Sequence, residues 1–125
     1  MCRILIIDPN APFRKSLGKS LSKRFPETEI LEAGSGVEGL TQLEKLTPQL
    51  IFIDIYLPDR SGLDLAKTIK QFYPQIVIAV FTRYDSPEYR AAANNSGVGH
   101  LIPKDDWTSE DILGLVENVL NQAGK

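Results

Sequence analysis

The chain has 125 residues, 42% hydrophobic and 24% charged, enough to bury a core without staples, and its one cysteine, Cys2, excludes an internal disulfide. Fourteen basic against sixteen acidic residues leave a net charge of −2, and no basic cluster forms along the chain, which argues against direct contact with nucleic acid. The apolar run in "MCRILIIDPN" is too short for a signal peptide or a membrane span, and no linker, repeat or low-complexity stretch divides the sequence. The expectation is one cytoplasmic domain, residues 1–125, with no membrane partner.

Strand and helix alternate five times. "RILIID" (3–8) is a nearly continuous, isoleucine-rich run that suits a strand buried on both faces. From Ala11 to Phe25, Phe13, Leu17, Leu21 and Phe25 recur at helical spacing, and Pro26 ends the run. "TEILEA" (28–33) carries more charge and reads as a strand with one exposed side, near a sheet edge. "SGVE" (35–38) matches a capping box, with Val37, Leu40, Leu43 and Leu46 as the apolar side of the following helix. "LIFID" (50–54) is the third strand, and Leu65, Ile69 and Phe72 mark the helix after it. "IVIAVF" (76–81) is the fourth strand. Ser86-Pro87 reads as an N-cap with proline at the first helical position, and Gly97 as that helix's stop. "HLI" (100–102) makes a short fifth strand; Thr108 to Asp111 repeats the capping box, and Ile112, Val116, Val119 and Leu120 drive the last helix.

This alternation implies an α/β fold, a doubly wound parallel sheet with helices on both faces. Strands one, three and four read as fully buried and strands two and five as peripheral, which favours the order 2-1-3-4-5. Ligands of such sheets bind outside the carboxyl ends of the strands. Strand one ends in Asp8, strand three in Asp54 and strand four in Thr82, and Lys104 follows strand five. Singly, each reads as a turn former, a cap or a solvated lysine; on four strands at one edge, they point to chemistry. Two carboxylates about 4 Å apart repel by roughly 4 kcal/mol at an effective dielectric near 20. A Mg²⁺ ion, held by one or two carboxylates plus waters and phosphate oxygens, relieves that repulsion. A lysine and a threonine hydroxyl suit a phosphate, and one carboxylate can then act as nucleophile and become an aspartyl phosphate.

"ILIID" leading into "PNAPFRKSL", "IFIDIYLPDRSGLDL", "AVFT" and "GVGHLIPKD" together resemble the receiver domain of bacterial two-component response regulators, over essentially the whole chain. In that family the acceptor aspartate is followed four residues later by proline and eight later by glycine; here these are Asp54, Pro58 and Gly62. The resemblance implies a flavodoxin-like receiver fold in which Asp54 takes a phosphoryl group from a histidine kinase or phosphotransfer protein. It implies that Mg²⁺ is bound by Asp8, Asp54 and the backbone carbonyl of Tyr56, with Lys104 as the phosphate-binding lysine and Thr82 as the switch hydroxyl. Lys104 is expected to serve the phosphorylated state rather than the fold. The face of helix four, strand five and helix five is expected to meet a downstream protein, or a second copy in a homodimer. The chain is then a phospho-acceptor, not an enzyme beyond its own phosphotransfer and dephosphorylation.

Departures from the family pattern stand beside these matches. Pro9 replaces the usual second acid, and the amide of Asn10 is a poorer Mg²⁺ ligand than a carboxylate. Leu101 replaces the switch aromatic, and His100, the lone histidine, reads as structural or superficial. Tyr56 and Tyr84 occupy positions that tune phosphorylation and hydrolysis in the family, and Arg83 is bulky where a small residue is usual. Pro9 and Leu101 favour an alternative, a degenerate receiver that binds a partner without phosphorylation; Asp54, Thr82 and Lys104 favour the phosphorylated switch. "GSGVEG" (34–39) spells the dinucleotide fingerprint G-x-G-x-x-G, but it follows a half-exposed strand and leaves Asp8, Thr82 and Lys104 unexplained. Its glycines are read as a tight turn and a helix lying close to its neighbours.

Overall fold

In the computed structural model, which describes residues 2–83, 87–104 and 109–123, five aliphatic runs form one parallel sheet in the order β2-β1-β3-β4-β5, as expected. The strands are β1 (Arg3–Ile7), β2 (Glu29–Ala33), β3 (Leu50–Asp54), β4 (Val77–Thr82) and β5 (His100–Pro103). Between and after them run α1 (Ala11–Arg24), α2 (Gly36–Lys45), α3 (Gly62–Phe72), α4 (Pro87–Asn95) and α5 (Ser109–Ala123). The register places Ile7 between Ala33 and Ile53, Asp54 beside Phe81 and Thr82 beside Pro103, so the carboxyl ends of the strands share one edge.

Side-chain alternation along the strands divides the core in two. Ile4, Ile6, Leu50, Phe52, Ala79 and Phe81 face α1 and α5, meeting Leu17, Leu21, Ile112 and Val116. Leu5, Ile7, Ile51, Ile53, Ile78 and Val80 face α2, α3 and α4, meeting Leu43, Leu65, Ile69 and Ala93. The edge strands β2 and β5 are only half covered, which explains their more polar sequences.

Caps define where the helices begin and end. The Asn10 side chain accepts from Phe13 N–H at the start of α1, with Pro12 in the first turn. At α2 the Ser35 hydroxyl accepts from Glu38 N–H, and the Glu38 carboxylate reaches back to Gly34 N–H. Gly97, at φ +77°, stands in the left-handed region just beyond α4, as the stop signal requires.

Two expected core positions are exposed. Val37 is 59% exposed because α2 presents Gly39 and Leu43 to the sheet and Gly36 to the Arg60 side chain, which turns Val37 outward. Gly39 makes this close approach possible: a Cβ there would meet Ile7 Cδ1 at 2.5 Å. Phe72 is 74% exposed at the end of α3, where the buried stripe of Leu65, Ala66 and Ile69 has run out and Tyr73 packs on the core instead. Urea unfolding should therefore separate neighbours on one helix. Phe72→Ala is expected to change stability by less than about 0.5 kcal/mol, and Ile69→Ala to cost about 2–5 kcal/mol.

Candidate functional site at the carboxyl edge

The alternation that buries Ile4, Ile6, Leu50 and Phe52 on the α1/α5 side continues to Asp54 at the end of β3 and to Asp8 just past β1. Lys104 follows Ile102 on the same side, and the three side chains meet. Its Nζ donates to Asp54 Oδ1 at 2.9 Å and lies 2.9 Å from Asp8 Oδ2 as an ion pair. Asp8, Asp54 and Lys104 are all buried, with no more than 8% of any of them exposed. The ammonium also sits 4.6 Å from the centre of the Phe13 ring, a cation–π contact that fixes it from the α1 side.

Backbone groups hold the remaining oxygens. Asp8 Oδ1 accepts from Asn10 N–H at 2.8 Å, and Asp54 Oδ2 from Tyr56 N–H at 3.1 Å. Burial raises the Asp8 carboxyl above the ordinary carboxylate range and the Asp54 charge adds to this, while Lys104 and the Asn10 N–H oppose it. Asp8 Oδ2 is buried and, although paired with Lys104, has no hydrogen bond of its own. A cavity of about 390 Å³ opens over these groups, lined among the described residues by Asp8, Pro9, Asn10, Asp54, Tyr56, Arg83 and Lys104.

Asp8, Asp54, Tyr56 and Lys104 are thus brought together as the sequence suggests. Thr82 is fully buried at the end of β4, outside that lining, and its carbonyl accepts from Lys104 N–H at 2.6 Å. Lys104, expected to serve the phosphorylated state rather than the fold, is already engaged by both carboxylates. Asn10 is committed as the cap of α1, Leu101 is half-buried against the α2/α3/α4 core, and His100 is exposed on β5. Tyr84, Ser86 and Thr108 lie outside the described residues.

Two acidic side chains border one cavity, one with an oxygen that lacks a hydrogen bond, and among the described residues no trio of His, Cys, Asp or Glu forms a closed site. That suits a cation that keeps several of its waters, as Mg²⁺ does.

Three supporting features were not read from the sequence. Arg14 Nη1 donates to the Asp8 carbonyl at 2.5 Å while its Nε holds Glu32 at 2.8 Å, tying the end of β1 to β2. Phe13 carries the lysine. Asp59, in the loop after β3, accepts from Gly36 N–H and Val37 N–H, each at 2.9 Å. The amides of the G-x-G-x-x-G stretch therefore do bind an anion, and it is this chain's own carboxylate. Apart from Arg14 and Asp8, six residues apart, these partners are distant in sequence, and none leaves a local signature; Asn10, two residues before Pro12, had one as a helix cap.

A family model for the response regulator receiver domain matches residues 4–117. The chain belongs to the response regulator receiver family. The response regulator MprA of Mycobacterium leprae is 28% identical over 120 residues, 96% of the receiver and 51% of MprA. A protein-glutamate methylesterase/protein-glutamine glutaminase of Geobacter sulfurreducens is 27% identical over 118 residues, 94% of the receiver and 32% of that protein. The receiver thus spans about half the length, or less, of these curated relatives. A CheY-like receiver domain protein from Methanospirillum hungatei superposes with a TM-score of 0.87 at 28% identity, over 98% of the receiver and 95% of that chain. A two-component response regulator from Clostridium difficile, 24% identical, shares the fold over the full length of both chains with a TM-score of 0.91. Receivers generally use Mg²⁺ for phosphorylation. No helix among the described residues is long and apolar enough to cross a membrane.

Two substitutions probe the cluster. In metal-free buffer at pH 8, Lys104→Met strands two buried carboxylates and is expected to cost about 3 kcal/mol by urea unfolding. The Asp8 carboxyl is already raised, and losing the ammonium raises it further. The penalty for its charge is therefore full above that raised value and fades as pH falls through it, so the loss should be smaller at pH 5. Gly62→Ala should be more damaging, because its Cβ would overlap the Asp54 carbonyl and lie 2.8 Å from Ile55 Cα, backbone that has nowhere to move. A melting temperature within a degree or two of wild type for Gly62→Ala would contradict that packing.

Proposed function

We propose that Asp54 accepts a phosphoryl group from the phosphohistidine of a histidine kinase or phosphotransfer protein, and that residues 1–125 act as one cytoplasmic receiver domain. The observation that carries this reading is the buried cluster in which Asp54 shares Lys104 with Asp8 beneath an open cavity. An Asp54 carboxylate oxygen attacks phosphorus in line as the P–N bond to the donor imidazole breaks. The electron pair returns to the ring nitrogen, and the new P–O bond makes an acyl phosphate. Lys104, already beside Asp54 Oδ1, remains as the counter-charge of the product. Asp8, Asp54 and the Tyr56 carbonyl would hold Mg²⁺, which when bound neutralises charge on the phosphoryl oxygens.

The Thr82 hydroxyl is the candidate donor to the phosphoryl group, and α4, α5 and β5, the strand beside Thr82, form the face offered to a downstream protein or a second copy. Water attack on the acyl phosphate returns the carboxylate and inorganic phosphate, so the chain is a switch with self-limited lifetime and turns over no separate substrate.

Incubation with Mg²⁺ and a small phosphodonor should add one phosphoryl group by intact mass, and Asp54→Asn should add none. A modified Asp54→Asn protein would sink the assignment. Pro9 supplies a second test. Pro9→Asp adds a carboxylate to the cavity lining and should tighten Mg²⁺ binding in calorimetric titration, while lowering metal-free stability through added repulsion. Equal affinities would show that position 9 does not face the metal.

A further inference from the structure

We propose that Asp59 is a positioning residue for phosphorylation: its clamp on the N-terminus of α2 holds the β3–α3 loop so that Tyr56 is presented to the cavity. This rests on the reading of Asp54 and Tyr56 given above. Asp59 is no part of the cavity lining among the described residues, and both its oxygens are spent on Gly36 and Val37. A carboxylate at a helix N-terminus is favoured by the unpaired N–H groups and the helix dipole. The clamp also has an apolar half, since the Arg60 side chain lies so close to Gly36 that a Cβ there would meet its Cδ at 3.0 Å.

The loop transmits this anchoring because it is short and closed on itself. Tyr56 is bridged to Ser61, Gly62 N–H donates to the Ile55 carbonyl at 2.8 Å, and Ser61 caps α3. Tyr56 thus cannot shift without moving Asp59 and Arg60, three and four residues on. At the other end, α2 is seated on Ile7 through Gly39, one residue before Asp8. The clamp therefore sets the Tyr56 carbonyl relative to the strand end that carries Asp8, the two sides of the proposed cation position. The burial of Gly36 and Gly39 and the capture of two amides by Asp59 give the G-x-G-x-x-G stretch a purpose without any nucleotide.

The test compares Asp59→Ala, Asp59→Asn and a distant destabilised control, Val119→Ala in α5, by Mg²⁺ calorimetry, phosphorylation rate from a small donor, and amide hydrogen exchange. Losing a residue that orients a ligand in this way is expected to weaken Mg²⁺ binding and slow phosphorylation about tenfold in Asp59→Ala. Asp59→Asn, with one acceptor oxygen, should fall between it and wild type. Exchange should quicken at Tyr56 and Gly62 as well as at Gly36 and Val37, and Val119→Ala should leave affinity and rate unchanged. Faster exchange at Gly36 and Val37 alone, with affinity and rate unmoved, would reduce Asp59 to a helix cap and overturn the proposal. An equal loss of affinity in Val119→Ala would overturn it too. A wild-type chain that neither binds Mg²⁺ nor takes a phosphoryl group would sink the proposed function, and exchange at Tyr56 and Gly62 would then decide the clamp by itself.

Discussion

The Lys104 ammonium stands 2.9 Å from a carboxylate oxygen of Asp8 and 2.9 Å from one of Asp54, joining the carboxyl ends of β1 and β3 to the end of β5. Either acid, buried alone, would carry a desolvation penalty of several kcal/mol. Both together would add their mutual repulsion. The lysine makes the arrangement tolerable, and the aromatic face of Phe13 and the backbone bond from Lys104 N–H to the Thr82 carbonyl hold it in place. The strand order is what lets this happen. Only with β1 beside β3, and β4 linking β3 to β5, do residues 8, 54 and 104 fall within reach of one another.

The cluster is nonetheless unsaturated. Two carboxylates face one ammonium at its centre, and the buried Asp8 Oδ2 has that shared ammonium beside it and no hydrogen bond besides. Such a site has residual demand for positive charge, which a divalent cation or the approach of Arg83 on the rim could meet. Pro9, standing where a third acid would increase that demand, keeps it low. The departure from the family pattern therefore lowers the negative charge at the proposed cation site.

Much of the architecture was legible in the residues because it depends on periodicity. Isoleucine-rich runs, caps and the Gly97 stop are local signals, and the polar content of β2 and β5 marks them as edges. The positions of Asp8, Asp54 and Lys104 were legible for the same reason, since strand ends can be counted. What escaped depends on rotation or on distance. Val37 lies on the solvent side because the seat of α2 is set by Gly39 on Ile7, a contact across 32 residues that periodicity on one helix does not contain. Phe72 follows the helical stripe faithfully, yet α3 has outrun the core there. Arg14 and Asp59 act on backbone groups, which present the same donors and acceptors whatever the side chain, so no sequence pattern names their partners.

Tyr56 is where these contacts converge. Its N–H holds Asp54 Oδ2, its backbone pairs with Ser61, and its hydroxyl is 2.8 Å from that of Tyr89 in α4. A change in charge at Asp54 therefore acts on a residue hydrogen-bonded directly to α4, in the face proposed to meet partners. Leu101, half-buried on β5, has no hydroxyl with which to report on its surroundings, so a readout through an aromatic at that position is unavailable to this chain. The tyrosine pair joins the loop after β3 to α4 by a contact of different construction. A hydroxyl–hydroxyl bond at an exposed position is weak in water, of the order of 1 kcal/mol. That is comparable to the bias a switch needs when its two states are nearly balanced. The clamp at Asp59 then has a second consequence: by holding the loop that carries Tyr56, it keeps the contact with Tyr89 in register with Asp54.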